Sequence, residues 1–167
     1  NSAFVRGAVV LRSSDELQRA AAAADFILSS LRRKDGRLLR SWRGTAGEAQ
    51  GVVDDYAFLI AALLDLFEAT SEARWLDEAL SLQAILDSQF ADEAGGGYFF
   101  TAADGEVLLA RQKPAYDGAV PTGNAVAAAN LLRLAELTGE QVHRDRAERI
   151  FSALSTTLRR GPTSAPE

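Results

Sequence analysis

Cysteine is absent from these 167 residues, and histidine occurs once. Without a thiol the chain has no disulfide, no thiolate metal site and no cysteine nucleophile. One imidazole does not make a closed zinc site of the usual kind, so no metal and no cofactor is expected. A basic face is missing too. Acids outnumber bases by 23 to 18, the net charge is −5, and the arginines are scattered among acids. Neither a nucleic acid nor an anionic membrane is therefore an expected partner. Long apolar runs are lacking: a stretch such as Ala57 to Leu64 is far too short to span a bilayer, and no signal-like segment follows Asn1. A cytoplasmic setting is the default expectation. Gly95-Gly96-Gly97 lacks the Lys-Ser/Thr of a phosphate loop and leads into aromatics, so it reads as a turn needing positive φ.

What the chain does have is a repeat. Glu16 to Leu31, Trp75 to Phe90 and His143 to Leu158 align without a gap. Each copy has alanine at its fifth position (Ala20, Ala79, Ala147) and follows a polar capping cluster. After the first two copies the match continues through a glycine turn, with Asp35 to Trp42 against Ala94 to Thr101. With 47% hydrophobic and 25% charged residues, this is one domain with a real core, residues 1–161, followed by a polar tail, 162–167.

Apolar periodicity predicts six helices, over about 3–11, 14–34, 53–69, 72–90, 122–137 and 140–160. Gly36 is the expected stop of the second. The fifth, with Ala125 to Leu132 small and almost uncharged, reads as a buried helix, whereas the sixth is rich in charge. Helices three and five form an expected inner layer with two, four and six outside. The expected class is all-α, helical hairpins forming about half of an (α/α)6 toroid. Asp104-Gly105 between Tyr98–Thr101 and Val107–Arg111 adds an expected β-hairpin arm.

Three stretches, Val53-Asp54-Asp55-Tyr56-Ala57-Phe58-Leu59, Ala94 to Thr101 and Lys113-Pro114-Ala115-Tyr116-Asp117-Gly118-Ala119-Val120-Pro121-Thr122-Gly123-Asn124, resemble the helical region of the spermatogenesis-associated protein 20 family. That resemblance covers nearly the whole chain. It departs mildly at Asp54, where Glu is expected, and at Thr122, where Ser is expected. It implies a six-hairpin toroid related to the sugar 2-epimerases and glycosidases, in a longer protein with a thioredoxin-like domain that this chain lacks.

The chemistry rests on acids at helix starts. Asp54 and Asp55 begin helix three, while Asp117, Thr122 and Asn124 bracket the start of helix five, so repeat symmetry sets both clusters at one end. Asp54, Asp55 and Asp117 are the candidate catalytic acids, expected to face one shared cavity. Tyr56, Tyr116, Arg111, Lys113, Thr122 and Asn124 are the candidate substrate-binding residues, and the expected ligand is a sugar. A plainer account stands beside each. Asp, Thr and Asn cap helices without any ligand, an arginine partner explains a second acid, and Arg111 and Lys113 serve as well by fixing an arm over the rim. His143 aligns with Trp75 and Glu16 at the start of an outer helix, which makes it a packing or surface residue. Three hairpins leave inner faces open, so either the remainder of a longer chain or a second copy is expected to cover them.

Overall fold

A computed structural model describes residues 2–105, 111–113 and 120–160. Six helices follow one another: α1 (Ser2–Leu11), α2 (Ser14–Ser30), α3 (Val53–Thr70), α4 (Ala73–Phe90), α5 (Gly123–Thr138) and α6 (Gln141–Arg160). Among the described residues the only β pairing is in isolated bridges.

The helices form three hairpins, α1–α2, α3–α4 and α5–α6, and α3 packs against both α1 and α5. Thus α1, α3 and α5 make the inner layer, and α2, α4 and α6 the outer. The apolar stripes explain this order. On α3 nine residues are buried, from Val53 to Leu66, because this helix is covered on three sides. Ala20, Ala79 and Ala147 have no exposed surface. A methyl at the fifth position of each outer helix lets it lie close to its inner partner, which accounts for the recurring alanine.

Inner helices are also joined by polar contacts. Asn130 Nδ2 donates to Ala57 O at 2.8 Å, inside the α3–α5 contact. Arg133 on α5 pairs with Asp65 at 2.8 Å and Glu68 at 2.9 Å on α3.

Two arms precede the inner helices. The first turns at Gly36 (φ 86°) and bridges Arg32 with Leu38; the second turns at Gly96 and Gly97 (φ 74° and 75°) and bridges Ala91 with Tyr98. They are the same device used twice. The sequence places the end of the second helix near Gly36, but α2 stops at Ser30, since Leu31 O already accepts from Leu39 N–H as the chain reverses. The expected hairpin strand across Val107 to Ala110 lies outside the described residues. What is described beside it is a backbone bond from Phe100 N–H to Gln112 O, 2.7 Å.

Candidate functional site

The arms and the first turns of α3 and α5 meet at one rim. Its residues are positioned by orphan helix amides that need acceptors. Val53 N–H donates to Phe100 O at 3.0 Å, so the second arm closes the start of α3. Asp54 Oδ1 accepts from Gly123 N–H at 2.9 Å, the first amide of the neighbouring α5. A Cβ on Gly123 would clash with that oxygen, which explains glycine there. Among the described residues the second carboxylate oxygen of Asp54 has no hydrogen-bond partner.

Asp55 serves its own helix. Its Oδ2 accepts from Val52 N–H at 2.8 Å and lies 3.1 Å from Arg40 Nε on the first arm. Burial pushes its carboxyl above the ordinary value, opposed by the Val52 amide and by Arg40. A cavity of about 320 Å³ opens beside the two acids, lined by Arg40, Phe58, Leu59 and Ala62, by Leu38 and Leu39 of the arm, and by Ile27 and Leu31. Phe58 is 41% exposed.

The remaining expected site residues divide. Tyr56 is corrected from ligand-facing to core: it is 1% exposed, its ring packs 5.1 Å from Phe90, and its hydroxyl accepts from Leu38 N–H at 2.9 Å. Thr122 caps α5, its Oγ1 accepting from Ala125 N–H at 3.2 Å. Asn124, 1% exposed, clamps the second arm from both sides: Oδ1 accepts from Tyr98 N–H at 2.8 Å and Nδ2 donates to Tyr98 O at 2.9 Å. Arg111 donates to Thr101 O and Gln89 O and stacks 4.2 Å over Phe99. Lys113 donates to Gly96 O and pairs with Asp92 at 2.7 Å, a contact that holds the Asp92 carboxyl below its usual range. Both cations therefore tie down the arm. Tyr116 and Asp117 lie outside the described residues, and with them the expected shared cavity of Asp117 with Asp54 or Asp55.

Sequence reasoning missed a buried polar knot behind the rim. Tyr98 O–H donates to Asp87 Oδ1 at 2.5 Å and accepts from Gln83 Nε2 at 3.0 Å, while Arg146 Nε stands 3.5 Å from Asp87. Burial and the Asp87 charge push the Tyr98 hydroxyl far above its ordinary value. The knot joins α4, the second arm and α6. The alignment of Tyr98 with Leu39 hid it, because the first arm has no equivalent hydroxyl. His143 is a packing residue, 7% exposed, with Glu140 3.6 Å from its Nε2.

No family model matches the chain. Spermatogenesis-associated protein 20 of Rattus norvegicus is 43% identical over 141 residues, which are 79% of this chain and 18% of that protein. Its counterpart in Mus musculus is 38% identical over 181 aligned residues, covering 100% of this chain and 23% of the mouse protein. Among solved structures, the GH76 α-mannanase of Bacteroides thetaiotaomicron superposes with a TM-score of 0.71 and 17% identity, over 90% of this chain and 40% of the enzyme. Cellobiose 2-epimerase from Spirochaeta thermophila gives 0.72 and 20%, over 93% and 41%. The chain has the fold of a sector of an α/α toroid, and it is homologous to a helical segment that makes up 18–23% of spermatogenesis-associated protein 20.

Proposed function

We propose that this chain is a wall sector of a carbohydrate-binding α/α toroid, with the rim at the starts of α3 and α5 turned to the sugar. One observation carries the reading. Asp54 uses a single oxygen on the α5 amide, and its other oxygen has no partner among the described residues, beside the half-exposed ring of Phe58. A carboxylate acceptor next to an aromatic face is a chemistry suited to sugar hydroxyls and ring C–H groups. The toroid fold shared with a mannanase and a sugar epimerase supports the same class.

A second reading, a non-catalytic helical module, is favoured by what the other residues do. Asp55, Thr122, Asn124 and Lys113 all have structural partners. The two readings separate at Asp54. Asp54→Asn keeps an acceptor for Gly123 N–H but removes the charge. In the full-length protein, calorimetric titration with cellobiose and mannobiose should show binding that the substitution weakens at least about tenfold at unchanged thermal midpoint, a loss of about 1.4 kcal/mol. Equal affinity of the two proteins, or no binding by either, rejects the sugar reading.

A further inference from the structure

The cavity beside the two acids changes character along α3. Asp54, Asp55, Phe58, Leu59 and Ala62 line it, and these residues form one stripe of the helix. The stripe is acidic in the first turn and apolar from the second turn on. At 1.5 Å per residue, Asp54 to Ala62 is about 12 Å. Ile27 and Leu31, at the end of α2, and Leu38 and Leu39 of the first arm complete the apolar walls. The charged lining groups are Asp54, Asp55 and Arg40, and Arg40 is tied to Asp55 at 3.1 Å.

Beyond the acids the walls have little to give a hydrogen-bonding ligand. Their side chains carry no polar atom, and the backbone of the arm is already engaged. Leu38 N–H donates to the Tyr56 hydroxyl at 2.9 Å, Leu38 O accepts from Gly51 N–H at 2.8 Å, and Leu39 N–H donates to Leu31 O at 2.8 Å. The amides of Leu59 and Ala62 belong to the helical ladder of α3. A sugar ring lying wholly among these walls would strip water from its hydroxyls and find no partners for them, which is strongly unfavourable. A wholly apolar ligand would bring no donor to the oxygen of Asp54 that lacks one among the described residues. A ligand that is polar at one end and apolar at the other satisfies both parts of the stripe.

We propose that this cavity takes a glycoside with an apolar aglycone. The sugar lies at Asp54 and Phe58, and an alkyl or aryl group lies between Leu59 and Ala62 on one side and the leucines of the arm on the other. This rests on the sugar reading of Asp54 and adds what the sugar is attached to. About 320 Å³ is room enough for a small-molecule ligand of that kind.

Calorimetric titration of the full-length protein with methyl, butyl, hexyl and octyl β-glucosides, each below its micelle concentration, tests it. Seven further methylenes at about twofold each should make octyl glucoside at least about a hundredfold tighter than methyl glucoside. Asp54→Asn should weaken both ligands. Leu31→Gln, which puts an amide into the apolar wall, should shrink the octyl-to-methyl ratio at least about tenfold. If Leu31→Gln does not fold, the chain-length series on the wild-type protein decides alone. Equal affinity along the series while cellobiose still binds overturns the proposal and leaves the sugar reading in place. Binding of 1-octanol as tight as that of octyl glucoside, and untouched by Asp54→Asn, overturns both, because the cavity then takes an apolar chain without regard to a sugar. Absence of binding by every glucoside and by cellobiose also overturns both.

Discussion

At the scale of single residues the rim is built by satisfied backbone groups. Asp54 and Asp55 are adjacent in sequence but differ in work, one accepting from the next inner helix and the other from its own. Asp55 also carries a measurable signature. Burial raises its pKa above the ordinary 3.8, so the folded state holds the proton more tightly than the unfolded state does. Its contribution to stability therefore falls as pH rises from below 3.8 through the folded value, and is constant above it. Asp55→Asn lacks this dependence while keeping an acceptor for Val52 N–H. Urea midpoints of wild type and variant, taken from about pH 3 to 7, should diverge in the variant's favour as pH rises through that window, a net effect that already includes the opposing pull of Arg40. A difference that stays flat, or that runs the other way, would mean that Arg40 and not burial sets this carboxyl.

Element by element, periodicity and capping suffice for the helices, because apolar faces and helix caps are local. All six appear, and α3 and α5 begin within about a residue of the expected starts. The arms were legible as a repeat but not as a structure. Gly36 and Gly96 sit at matching turns, yet what each backbone touches comes from another hairpin, and no local pattern encodes it. A Cβ placed on Gly96 would stand 2.5 Å from the backbone oxygen of Arg149 on α6, whereas one on Gly36 would stand 2.9 Å from the movable tip of Ile85. Both glycines have positive φ and share the left-handed cost of about 1–2 kcal/mol for alanine. Only Gly96 adds a clash with backbone. Gly96→Ala should therefore cost about 2–4 kcal/mol and Gly36→Ala about 1–2 kcal/mol in denaturant unfolding. Equal costs would show that the arm and α6 separate easily. The same distance in sequence hides the roles of Asp54 and Asn124, whose partners are 69 and 26 residues away. An acid or amide at a helix start says that an amide needs an acceptor, but not whose.

For the whole molecule, three hairpins close a core around α3 but leave the two flanks of the sector unlike it. On α1, Val9, Val10 and Leu11 are 62%, 79% and 72% exposed, and Phe4 is 48% exposed. Val142 and Phe151 of α6, at the other flank, are each 49% exposed. Scattered apolar residues are ordinary on a surface, but four of the ten residues of one inner helix leave much apolar surface in water. In the mannanase and the epimerase the matched sector is 40–41% of the chain, so most of each of those proteins lies beyond it. The isolated 167-residue chain has only solvent or another copy. Burying about 1,200 Å² in total is enough for a specific contact, and identical patches on two copies favour a two-fold pair. Sedimentation velocity over micromolar to hundred-micromolar concentrations should show reversible self-association of the 167-residue chain. Val9→Lys with Val10→Glu should weaken it by about tenfold or more, because each places a charge in a desolvated contact. The two substitutions should leave the unfolding midpoint almost unchanged, since neither side chain is in the core. A wild-type chain that stays monomeric throughout this range would show that the α1 flank tolerates water, and that hairpins α3–α4 and α5–α6 hold α1 in place without a further partner.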